Sequence, residues 1–325
     1  MRTSIVAGVT ASAILALTSG VAQAAAAKKQ AAADKPCDRA CLIALVDTYL
    51  AAVVAHDPSK APLASDIRFV ENVKRIQPGE GLWKTASAGP TTYKIYVPDP
   101  LAQQVGFIGV MESDGKPTQI GLRLKLVGGK IAEAEQIVVN NLRETSLPRL
   151  KTPRMQLLSG VPDPYRDAHG RLLHIAASYY DALDNNNGSL APFADDCVRY
   201  ENGMQTVRNP VPVDPSQGFG LAGALGCAKQ LDTNTFEYID TIDNRRVWIA
   251  DEENGLAIGF SHFRHSMQKK EFRLYGIPGQ ETRTLTNAPF DMPAVHIFKI
   301  WGGQIHEIEA VGLVAPYNSP TGWEN

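Results

Sequence analysis

Leu42, Leu45, Val46, Tyr49, Leu50, Val53 and Val54 recur at the i, i+3, i+4, i+7 spacing of one helical face. Leu172, Ile175, Ala176, Tyr179, Tyr180 and Leu183 repeat that pattern, and the run DNNNG at residues 184–188 stops it. After each helix the period changes from 3.6 to 2. An acid-amide pair ends the next strand in both halves: DIRFVEN carries Glu71 and Asn72, DCVRYEN carries Glu201 and Asn202. The strands YKIYV and VGFIGVME follow in the first half, RRVWIA and LAIGFSHF in the second, and each half closes on a Gly-Gly hairpin. The chain is therefore a repeat.

The spacing between copies is not constant. It is 130 residues from Glu71 to Glu201 and 174 from Gly128 to Gly302. Two Pro- and Gly-rich insertions in the second copy, residues 209–230 and 274–292, account for the growth. Loops of that length in a compact domain are lids, binding loops or interface arms. The proline-bearing stretch at residues 146–166 reads as a linker.

The closing hairpin, HIFKIWGGQIHEIEAV, carries polar groups in an otherwise apolar run. A two-residue turn at Gly302 and Gly303 sets Trp301 opposite Gln304, Ile300 opposite Ile305, Phe298 opposite Glu307 and His296 opposite Glu309. Opposed residues share a sheet face, so His296, Glu307 and Glu309 are expected to look with Phe298 into the interior. The same count in the first copy puts Glu133 and Glu135 on a face of leucines, with Leu122 where the second copy has His296. A buried carboxylate needs a partner, and an imidazole beside it makes an acid–base dyad. A bulge would slip the register by one and undo this pairing.

Met1 and Arg2 precede an apolar run ending in AQA, the layout of a secretory signal, so residues 1–27 read as signal peptide and leader. That run is too short and too diluted to span a membrane comfortably. Four cysteines in an exported chain suggest disulfides; Cys37 with Cys41 and Cys197 with Cys227 is the most economical of three pairings. The net charge of −2, with no basic block, gives no sign of nucleic-acid binding. There is no phosphate loop, no G-x-S-x-G elbow and no H-E-x-x-H. His262 and His265, three apart on a strand, leave opposite faces, which argues against a two-histidine metal clamp. No cofactor motif and no metal site is expected.

Helix, strand and a curved sheet closed by a hairpin, made twice, resembles the nuclear-transport-factor-2-like or SnoaL-like cone fold. The helix ending in Tyr49 and AHDPS, the strand into VENVKRIQPGEGLW and the closing FKIWGGQIHEIEAV carry the likeness. ENV…GEGLW with RYENG and a C-terminal SPTGW looks like a secreted tandem family. The resemblance implies an α+β protein of two tandem cones, at residues 36–145 and 167–325, each with helices on a curved antiparallel sheet. It also implies a pocket for apolar small molecules and cofactor-free proton-transfer chemistry. Isomerisation, dehydration, cyclisation and retro-aldol cleavage belong to that class, and cone-fold lyases that release formaldehyde from lignin-derived diaryl compounds are a precedent. The expected activity is thus a periplasmic or secreted lyase or isomerase acting on an aromatic or polycyclic compound. His296 would be the base, Glu309 its orienting partner and Glu307 a second acid. Phe298, His262, Tyr180, Arg199 and Tyr200 would line the substrate. The rival reading is a binding or scaffolding module without turnover. Pairing of the two copies within one chain is expected, further dimerisation is left open, and no membrane contact is expected after signal cleavage.

Overall fold

A computed structural model describes Met1, residues 36–210 and residues 219–324. The expected signal segment, apart from Met1, lies outside the described residues. Helix α1 (Arg39–Val54) starts at Asp38, whose carboxylate accepts the Cys41 N–H as an N-cap. It buries Leu42, Leu45, Val46, Tyr49, Leu50, Ala52 and Val53, the face set by the sequence pattern. Strands β1 (Leu63–Glu71) and β2 (Lys74–Arg75), the one-turn helix α2 (Leu82–Thr85) and strands β3 (Ala86–Ala88), β4 (Lys94–Asp99), β5 (Gln104–Ser113), β6 (Lys116–Val127) and β7 (Lys130–Val139) complete the first copy.

The short helix α3 (Met155–Leu158) leads to α4 (His169–Asp184), which buries Leu172, Ile175, Ala176, Tyr179, Tyr180, Ala182 and Leu183. Then come β8 (Phe193–Glu201), β9 (Met204–Gln205), α5 (Cys227–Asp232), β10 (Thr241–Asp251), β11 (Leu256–His265), the hairpin β12 (Glu271–Arg273) and β13 (Thr282–Thr284), β14 (Phe290–Trp301), β15 (Gln304–Gly312) and β16 (Ala315–Pro316). The protein is α+β, with two curled sheets and few helices.

One sheet runs β2-β1-β7-β6-β5-β3, with β4 also on β5; the other runs β10-β11-β14-β15-β8-β9, with β16 on β14. Pairing is antiparallel except where the first strand of each copy joins the last, β1 with β7 and β8 with β15. Each sheet wraps its own helix around its own apolar cluster. A third cluster, including Ile108, Val110, Ile258, Phe260, Val295 and Ile297, lies where the outer faces of the sheets meet. Burying such side chains contributes about 1.5–3 kcal/mol each. Backbone approach there is tight: a Cβ on Gly121 would lie 2.1 Å from Val295 Cγ1, and one on Gly106 2.5 Å from Ile258 Cγ2. Glycine is the residue that lets the sheets close.

Candidate functional site

The hairpin turns where expected, with Trp301 opposite Gln304 and Ile300 opposite Ile305, but β15 then bulges. His306 is the extra residue. Beyond it Lys299 faces Glu307, Phe298 faces Ile308, Ile297 faces Glu309 and His296 faces Ala310. Because side chains alternate, one extra residue sends the glutamates to the opposite face from His296. The expected His296–Glu309 dyad is therefore not formed. Glu307 and Glu309 lie at the join between the sheets, where Arg154 Nε donates to Glu307 at 2.8 Å and Nη1 to Glu309 at 2.9 Å. Burial raises the Glu309 pKa, opposed by Arg154. The first copy bulges at Ala132 in the same way, pairing Lys125 with Glu133 and Arg123 with Glu135. Arg246, from the other sheet, also binds Glu135.

His296 stays inside the second cone. It lies on the inner face of β14 with Phe298, 4% exposed, between Tyr179 and Tyr180 of α4. The Tyr180 hydroxyl donates to the Gly259 carbonyl at 3.1 Å and lies 3.2 Å from His296 Nδ1. With its hydrogen on Gly259, Tyr180 accepts Nδ1–H, which leaves Nε2 with its lone pair. Gly259 permits this approach, since a Cβ there would lie 2.8 Å from the Tyr180 oxygen. Burial, with Arg199 nearby, pushes the imidazole pKa down to about 3, so the ring is neutral at physiological pH.

A cavity of about 70 Å³ opens beside this ring. Tyr179, Glu201, Asn202, Tyr238 and His296 supply its polar lining; Phe219, Phe236, Phe263 and Ala310 are among its apolar walls. Arg199 is fully buried next to it. Its guanidinium pairs with Glu201 at 2.8 Å, donates to Thr206 at 3.0 Å and Gln230 at 2.5 Å, and reaches the Tyr179 hydroxyl at 3.5 Å. Burial lifts the Tyr179 pKa to about 12, with Arg199 acting against the rise. Gln230 comes from α5, in the first insertion, and the Cys197–Cys227 disulfide fastens that helix to β8 two residues from Arg199. Phe219 and Phe236 flank the guanidinium at 5.6 and 5.2 Å. The insertion thus forms a wall of the site.

Of the residues expected at the site, His296, Phe298, Tyr180 and Arg199 meet in the second cone. His262 and Tyr200 do not. His262 points to the outer face, 3.4 Å from Asp291, because inner positions on β11 fall at Gly259, Ser261, Phe263 and His265. Tyr200 is one residue out of phase with Arg199 and Glu201 and holds the Arg154 guanidinium 3.9 Å above its ring. The Cys37–Cys41 disulfide is formed as well. Glu201 and Ala310 also belong to the site, beyond the residues expected there. Glu201 was visible as half of the acid-amide pair. Ala310 matters for what it lacks.

The first cone shows the contrast at matched positions. Leu122 stands for His296, Phe69 for Arg199, Leu50 for Tyr180 and Gln136 for Ala310. Gln136 accepts from the Tyr49 hydroxyl at 3.0 Å and donates to Glu71 at 2.7 Å, filling the volume that Ala310 leaves open. Trp83, 1% exposed, stands edge-on to Tyr49 and completes the packing.

A family model described as a domain of unknown function (DUF8021) matches residues 165–312. No curated protein matches the chain. Among solved structures, the chain is similar to AclR from Streptomyces galilaeus at 11% identity, over 46% of this chain and 83% of that one, TM-score 0.30. A proposed polyketide cyclase from Xanthomonas campestris aligns at 13% identity over 44% and 90%, TM-score 0.29. IdmH from Streptomyces antibioticus, also a proposed polyketide cyclase, aligns at 13% over 43% and 91%, TM-score 0.26. Likeness at this level carries no activity over to this chain.

Proposed function

We propose that the second cone carries out cofactor-independent acid–base chemistry on the carbonyl end of a small molecule, as a lyase or isomerase. The observation that carries this reading is His296: a neutral imidazole with one nitrogen held by Tyr180, lining a cavity that Tyr179 also lines. Isomerisation, dehydration and retro-aldol cleavage share an enolate step. Nε2 of His296 takes the proton, and the Tyr179 hydroxyl, backed by Arg199, donates to the oxygen where negative charge collects. A base this weak becomes competent only as that oxyanion forms beside it, because the two charges stabilise each other where water is excluded. Glu201 keeps Arg199 neutralised and is not needed as a proton carrier. Two disulfides support an oxidising, exported setting, and among the described residues no helix is long and apolar enough to cross a membrane.

The rival reading, a binding module without turnover, draws support from the cavity's size. About 70 Å³ is small against the roughly 150 Å³ that admits a benzene. Hydrogen–deuterium exchange decides between them. The protein in D₂O should speed deuteration of butanone at the carbons beside its carbonyl, followed by proton NMR, and Tyr179→Phe should slow it about a hundredfold. Butanone that binds without exchanging would establish the binding module instead.

A further inference from the structure

The cavity beside His296 does not end at the cone. Glu201, Asn202, Met292 and Gly312 line both it and a neighbouring groove of about 250 Å³. That groove shares Asn141, Leu313 and Val314 with a third hollow of about 460 Å³, which reaches Glu71 and Asn72 at the mouth of the first cone. The acid-amide pairs of both copies therefore open onto one continuous depression. Its bridge is made by the segments leaving β7 and β15, the same strand in each copy.

Resting on the acid–base reading above, we propose that the substrate is elongated. Its small carbonyl end enters the second cone, and an amphiphilic, hydroxyl-bearing body lies along the depression between the copies. Volume argues for this first. The cavity beside His296 holds no more than a few non-hydrogen atoms, whereas the adjoining hollows are several times larger. Lining chemistry argues for the class of body. Leu313 and Val314, the latter 71% exposed, offer an apolar wall for a ring. Asn140, Asn141 and Arg143 are exposed along the same hollows, and amide and guanidinium groups suit hydroxyl oxygens. The arrangement also gives the filled first cone a use, since it supplies half of the binding surface without a reactive centre.

The test uses three probes with one head: butanone, benzylacetone, and the glucoside of para-hydroxybenzylacetone. Each is titrated into the isotope-labelled full-length protein and followed by NMR. The expected result is binding that tightens along the series, with the glucoside at least about tenfold tighter than butanone. Asn141→Trp and Val314→Trp block the depression at two exposed lining positions, and each should collapse that ratio toward one at an unaltered melting temperature. A ratio near one in the parent protein, or an undiminished ratio in both variants, overturns the elongated substrate while leaving the chemistry intact. Failure of all three probes to perturb signals from the second cone overturns the acid–base reading and this proposal together.

Discussion

The two cones share a helix, a strand order and a displaced hairpin register, yet the second sets an imidazole on an interior cavity where the first packs Leu122. Four interior positions account for the difference. Leu50, Phe69, Leu122 and Gln136 in the first cone become Tyr180, Arg199, His296 and Ala310 in the second. Three exchanges bring in a polar group, and the fourth withdraws one to leave room. The first cone satisfies its Glu71 carboxyl with the Gln136 amide and the Leu82 N–H. The second sets Glu201 against a buried guanidinium. A scaffold can thus be kept for stability in one copy and opened for chemistry in the other by changing a few residues around one helix.

The outer faces give the largest expected contrast. Glu309, 0% exposed, depends on Arg154, whereas Glu133 is shared by Arg123 and a half-buried Lys125. Arg154→Ala should cost about 3–5 kcal/mol in urea unfolding by stranding a buried charge. Lys125→Ala should cost less than about 1 kcal/mol. Similar losses would mean that the glutamate pairs are held alike.

Inside, Ala310→Gln should make the second cone resemble the first. The amide fills the cavity, and butanone exchange should fall about a hundredfold or more with no loss of melting temperature. Retained exchange would place the reactive volume elsewhere.

The cones should also differ in pH response. The folded His296 titrates near 3 and the unfolded side chain near 6.5, so the unfolded chain takes the proton first as pH falls. Its contribution is whole above pH 6.5 and is lost toward pH 3 at about 1.4 kcal/mol per pH unit. His296→Leu, which copies the first cone, should flatten unfolding free energy against pH by that amount; an unchanged slope would show that His296 is not buried neutral. The smallest effect separates the paired acids. Burial raises the Glu71 pKa, so Glu71→Gln should gain stability at neutral pH. Glu201→Gln, which leaves Arg199 unpaired, should lose stability, and equal signs in the two unfolding curves would contradict the contrast.

Much of the architecture was legible in the sequence because it rests on periodicity. The two helical faces, the strands and the hairpin turns follow from spacing, whereas the disulfides matched only the most economical of three open pairings. Register did not, since it depended on one residue in each hairpin. A usable signal was present: Arg123 and Lys125 stand one step out of phase with Glu135 and Glu133, and only a bulge brings these opposite charges face to face. Lys299 and Glu307 repeat it. His296 was found because an imidazole in an apolar strand is conspicuous. Its surroundings were not, because Tyr179, Tyr180 and Arg199 converge on it only through the packing of α4 and β8 against β14 and β15. Phe219, in the first insertion, and Phe236, six residues beyond it, carry no periodic signal that would place them on the cavity wall.

Butanone deuteration by the parent protein and by His296→Leu, at matched concentration and melting temperature, addresses the central claim most directly. The parent should exchange the ketone well above the buffer rate, and the variant should fall to the buffer rate, a loss of about a thousandfold. Equal exchange by both proteins would contradict the account.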